Sequence, residues 1–234
     1  FTGGPTMNTG LSLVEFLLSM TIASILVLAL LTINSLGAKT CLEARDSWYC
    51  MQSLRNTIML LDTDLMQCGY LLPEDLRTVP GQNQLFIAGT AITSAHDGLI
   101  LPKDLPPPFF SVVRAVNDYS IILDTVDIDG SSSPDFWAGM GIISDSGGFV
   151  ISNTYSRGDT HIPLTGKAAL SPSMRVVPAI HYELRTDGLY RNGQLVAEAI
   201  QAFDTAEDGN AVQISLEAGY HDISKKISYL YTFR

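Results

Sequence analysis

The chain has 234 residues, with 14 Lys and Arg against 24 Asp and Glu, a formal net charge of −10, and three Cys. This acidity excludes a nonspecific nucleic-acid binder, because neutralising phosphates needs clustered Lys and Arg. The length leaves room for one globular domain beside a membrane segment.

The first strong element is the run 11–36, LSLVEFLLSMTIASILVLALLTINSL. It holds 26 residues without Lys, Arg, His, Pro or Gly, and one acid, Glu15. A helix of that length reaches roughly 39 Å, enough to cross a hydrocarbon core of about 30 Å. An acid inside such a helix is unfavourable by roughly 2.5–3.5 kcal/mol on insertion scales, so Glu15 is read as functional. A cut between Gly10 and Leu11 would create an amine four residues before Glu15 that could neutralise it. All 14 basic residues follow the run, beginning with Lys39 and Arg45. By charge alone that favours a cytoplasmic distal domain, although a large domain translocates largely regardless of flanking charge.

Beyond Gly37 the segment 38–69 reads as a continuing helix, since no proline occurs before Pro73. Ala44, Met51, Leu54, Ile58, Leu61, Leu65 and Cys68 are spaced 7, 3, 4, 3, 4 and 3 apart, which is one apolar helix face. Gly69 fits a C-terminal cap, with Pro73 shortly beyond it. Apolar all round and then one-faced, such a helix needs lipid or other helices for its first half. Its second half needs a domain folded onto it. On this helix Cys41 and Cys50 are about 13 Å apart along the axis, too far for a disulfide. At most one disulfide is expected among Cys41, Cys50 and Cys68. Their spacing does not suggest zinc.

After Tyr70, short apolar runs alternate with Gly, Pro, Asp, Asn and Ser, which predicts strands and turns. The predicted strands are 85–87, 99–101, 120–125, 140–144, 149–154, 175–184, 188–191, 212–218 and 226–233. Asp187–Gly188 and Asn192–Gly193 are turn dipeptides. The pattern over 195–203 leaves helix and strand open. Residues 102–108 and 131–134 read as exposed loops. No internal repeat is evident.

Gly10, Leu11 and Glu15, followed by an apolar run, resemble the type IV prepilin signal. In that signal the cut precedes the apolar run, whereas a secretory signal peptide is cut after a shorter one. The preceding FTGGPTMNTG carries no Lys or Arg, unlike most prepilin leaders. Residues 53–70, with Asp64, Leu65, Cys68, Gly69 and Tyr70, are similar to the helix end of PilW-type minor pilins. Cys68 replaces the more usual alanine. Residues 176–191 (VVPAIHYELRTDGLYR) are similar to that family's paired strands, with a Tyr on the first and Leu-Tyr-Arg on the second. The type II secretion pseudopilin GspJ shares much of the layout.

The resemblance implies an α+β, pilin-like lollipop. Its parts would be a leader over 1–10, a transmembrane or filament-core helix over 11–36, an amphipathic continuation over 37–69 and a β-rich head over 70–234. It implies cleavage at Gly10–Leu11 by a prepilin peptidase, N-methylation of Leu11 and a charge pair at Glu15 that registers the subunit in a filament. The implied partners are other major and minor pilins, the peptidase, an inner-membrane assembly platform and the membrane. The implied places are the bacterial inner membrane, with a periplasmic distal domain, and then the pilus at the cell surface. The function would be assembly or priming of the filament at its initiation or tip. A type II secretion pseudopilin, or an anchored adhesive domain that never polymerises, remains open beside it.

No cofactor and no catalysis are expected. Asp124, Asp127, Asp129 and Asp135 in LDTVDIDGSSSPD offer oxygen ligands of the kind calcium takes, but no Glu closes the loop, and an acidic turn is the simpler reading. Ser94, His96 and Asp97 are adjacent triad types, and triads meet through the fold rather than through adjacency. Gly166–Lys167 lacks the upstream glycine of a P-loop.

Overall fold

The computed structural model describes residues 13–68, 72, 74–89, 110–128 and 133–233. It is α+β, one long N-terminal helix with antiparallel sheets. The helix, α1, runs from Leu13 to Gln67, 55 residues without a proline. Two compact units divide the chain, Phe1–Asp46 and Ser47–Arg234, and α1 contributes to both.

The described residues after α1 form thirteen strands. Ten build one sheet: β1 (Thr78–Gly81), β2 (Gln84–Ala88), β3 (Ser111–Asn117), β4 (Ser120–Leu123), β5 (Gly141–Ser144), β6 (Gly147–Val150), β7 (His161–Pro163), β8 (Arg175–Arg185), β9 (Gly188–Arg191) and β10 (Gln194–Ala197). The other three, β11 (Ile200–Glu207), β12 (Ala211–Tyr220) and β13 (Ile223–Thr232), form a sheet in that order. Strand β8 is the hub. One edge takes β2 and β3 in succession, and the other takes β5 and β9. With both edges paired and both faces covered, its near-continuous apolar run VVPAI needs no polar alternation. Side chains point alternately to opposite faces. Accordingly Val177 and Ala179 join a core with Leu72, Leu76, Phe86 and Ile143, while Tyr182 joins the core beneath α1.

In the second unit α1 buries Cys50, Leu54, Thr57, Leu61, Asp64 and Leu65 against β2, β9 and the three-stranded sheet. This face is rotated from the predicted one. Met51 is 42% exposed and Ala44 is exposed, while the polar Thr57 and Asp64 turn inward. The hydrophobic spacing could not show that partners for Asp64 wait inside.

Most predicted strands appear with shifted ends. Residues 149–154 do not form one strand. β6 stops at Val150, and Ile151 makes an isolated bridge to Leu164. The undecided 195–203 is split between β10 and β11. Strands β1, β3 and β7 are not among the predicted ones. Predicted strand 99–101, loop 102–108, Gly69, Tyr70 and Pro73 lie outside the described residues.

The two turn dipeptides have different fates. Asn192 and Gly193 sit at φ 48 and 78, both positive, and join β9 to β10 as a two-residue loop of the kind that twists with its strands. Asp187 lies in the two-residue turn between β8 and β9, and Gly188 closes that turn. It pairs with Arg185 as the first residue of β9, at φ 141, and a Cβ there would lie 2.3 Å from the Ala197 carbonyl oxygen. The glycine is required by close backbone approach. Gly188→Ala is expected to lower stability by about 1–3 kcal/mol or more, read from the urea midpoint.

His181 lies on β8 with its ring stacked on Phe86, centroids 4.4 Å apart, and is 6% exposed. A Cβ at Gly148 would come within 2.3 Å of the Phe86 ring, so that glycine makes the slot for the stack. Burial pushes the His181 imidazole pKa below its ordinary value, with the nearby Glu183 opposing and Arg185 assisting. The unfolded chain therefore takes up a proton at a pH where the folded chain does not. Stability is expected to fall as pH drops below about 6.5. His181→Phe should remove that part of the slope in midpoints measured between pH 7 and pH 5.

Candidate functional site

Two features stand out, one in each unit. In the first, every large apolar side chain from Leu13 to Leu36 is 51–78% exposed. The helix is long and apolar enough to cross a membrane, with a mean hydropathy of 2.5 in its best window. Its hydroxyls do not need water. Ser19, Thr21, Ser24, Thr32, Ser35 and Thr40 each donate to a backbone carbonyl three or four residues back, at 2.7–2.9 Å. Glu15 falls in the first turn of this helix. Gly10 and Leu11 lie outside the described residues.

The second feature is a buried acid. α1 carries Asp64 into the core, where it is 4% exposed. Arg191 from β9 grips it with two parallel hydrogen bonds, Nε to Oδ2 and Nη2 to Oδ1, each 2.8 Å. The hydroxyl of Tyr182 from β8 donates to Oδ2. Tyr182 is fully buried. Burial first, and the bond to Asp64 second, push its hydroxyl well above the ordinary tyrosine range, so it stays protonated and donates. The same carboxylate holds the Arg191 pKa above its usual value. These residues come from two patches of sequence, 53–70 and 176–191, joined across 127 positions of chain. Sequence reasoning did not foresee the contact. The available signal was an acid three residues after Leu61 and next to Leu65, on a face that otherwise reads as apolar.

The described members of the other candidate groups make local contacts. Asp124 accepts from the Ser111 hydroxyl at 2.7 Å and from the Val112 and Thr125 N–H groups at 2.8 Å. Burial raises its pKa, but these bonds outweigh it and hold the carboxyl below its ordinary value. Asp135 accepts from the Ile128 N–H at 2.6 Å. The Asp127 backbone carbonyl and N–H both bond the Thr125 hydroxyl. Asp124 thus ties the end of β4 to the start of β3 and Asp135 ties back to Ile128, and the described residues hold no cluster of three or more potential metal ligands. Asp129, Ser94, His96 and Asp97 lie outside the described residues. Lys167 is an exposed side chain 3.9 Å from Asp118.

None of the three cysteines is in a disulfide. Cys68 donates to the Arg77 carbonyl at 2.9 Å, and burial pushes its thiol up to about 12, which keeps it unreactive. Trp48 is 64% exposed, while Tyr49 packs on Tyr220 at 4.9 Å between centroids.

No known protein family, curated protein or solved structure matches the chain.

Removing one partner of a buried ion pair leaves the other charge uncompensated. Asp64→Ala is therefore expected to cost about 3–5 kcal/mol of unfolding free energy. Arg191→Lys keeps the charge but loses the fork, and should cost less. Urea unfolding of these variants and of Asp64→Ala with Arg191→Ala would check the coupling, expected at about 1–3 kcal/mol.

Proposed function

We propose that this protein is a minor type IV pilin, an assembly subunit and not a catalyst. One observation carries the reading. A helix with 51–78% of each large apolar side chain uncovered, from Leu13 to Leu36, places its single acid at Glu15, near the start. Exposed apolar surface on this scale marks a membrane or an assembly surface. An acid so placed is better explained by pairing inside a bundle of like helices than by simple anchoring. In this reading a prepilin peptidase cuts between Gly10 and Leu11 and methylates the Leu11 amine. The amine and Glu15 then set register between neighbours, where a low dielectric strengthens an opposite-charge pair. The precursor sits in the inner membrane with its distal domain in the periplasm, and the bulky distal domain restricts the subunit to initiation or the tip.

The test is intact mass and N-terminal sequencing of the protein from its native membrane, with and without the cell's prepilin peptidase. A chain that starts at methylated Leu11 only when the peptidase is present is the expected result. A chain that keeps Gly10 in both cases would make the run a plain anchor. Glu15→Ala is expected to insert into the membrane as before and to be lost from sheared filaments. Normal incorporation of that variant would remove the registering role.

A further inference from the structure

In the second unit a groove lies beside α1. Tyr49, Gln52, Ser53 and Asn56 are spaced i, i+3, i+4 and i+7, so they share one helix face. Across from them runs the chain 195–198, and the open groove between has a volume of about 370 Å³. That opposite wall is the end of β10. Among the described strands β10 pairs with β9 alone, so its second edge is unpaired.

The edge has a usable pattern. Arg191 and Gln194 flank the two-residue loop as the closing pair of the β9–β10 hairpin. Alternation of the antiparallel ladder then turns the N–H and C=O of Leu195 away from β9, toward the groove. The register shift between Leu195 and Ala197 makes Val196 an extra residue, a bulge that ends regular pairing there. The helix wall adds Gln52 and Asn56, exposed amides that each offer donors and an acceptor. An open strand edge facing amide side chains matches the hydrogen-bonding needs of an extended backbone, and strand addition to a free edge is a common mode of peptide recognition.

The charge narrows the partner. Among the described residues the groove has one carboxylate, the exposed Glu198, whose charge acts on the Tyr49 hydroxyl, and no Lys or Arg lines it. We propose that this groove binds an extended segment of a partner protein, added as a strand to the free edge of β10 and placing a Lys or Arg beside Glu198. This holds whether or not the chain enters a filament.

The test uses the full chain in detergent and a displayed library of random linear peptides. Enriched peptides are expected to carry Lys or Arg. On the wild-type protein, N-methylation of alternate peptide residues should weaken binding about tenfold or more, because it removes backbone hydrogen bonds. Glu198→Gln should weaken basic peptides about tenfold, as loss of a charged hydrogen bond does. Leu195→Pro removes the outward N–H and should abolish binding. Gln52→Ala with Asn56→Ala, both on an exposed face, gives the same answer if the proline variant does not fold. Failure to enrich any peptide would overturn the proposal. So would peptides indifferent both to N-methylation and to the change at Gln52 and Asn56.

Discussion

A carboxylate enters a protein interior only if a cation and further donors meet it there, since desolvation otherwise outweighs what attraction returns. Asp64 is such a carboxylate, and its donors come from β8 and β9. This fixes more than energy. A slip of one residue in β8 would turn Tyr182 to the opposite face, and a rotation of α1 would carry Asp64 away from the Arg191 fork. The apolar residues around it, Leu54, Leu61, Leu65 and Phe203, would tolerate several rotations of the helix, because hydrophobic contact is non-directional. The ion pair selects one of them.

The strands that answer Asp64 are held by the larger sheet. β8 receives four partners along its two edges, and its tight packing explains the glycines near it. Gly141 and Gly148 leave space for Phe86, and Gly188 lets β9 approach the Ala197 carbonyl. At the periphery Arg175, at the start of β8, pairs with Asp145 and Asp75. Burial pushes the Asp145 carboxyl up, and hydrogen bonds from Arg175 outweigh this and hold it below its ordinary value. Polar contacts thus hold the hub strand at two places, partly solvated at Arg175 and buried at Tyr182.

The two stretches of α1 solve opposite problems. In the first unit, side-chain hydroxyls fold back on their own carbonyls and apolar side chains point outward, which suits surroundings without water. In the second unit, the helix keeps one face for its own core and leaves polar groups such as Gln52, Arg55 and Asn56 exposed. The proposed assembly through the first stretch and the proposed strand addition beside the second call on separate surfaces.

The sequence by itself determined the elements whose chemistry is local. An apolar run of 26 residues without proline forms a helix long and apolar enough to cross a membrane. Asn-Gly between strand patterns can only turn with both φ values positive. Only the tertiary structure decided which face of α1 is inside, because the worth of burying Asp64 depends on Arg191, 127 residues away. For the same reason Gly188 reads locally as a turn residue, and its need for glycine is set by the Ala197 carbonyl. The groove beside α1 was not legible at all, since an unpaired strand edge is defined by which strands pair elsewhere in the sheet.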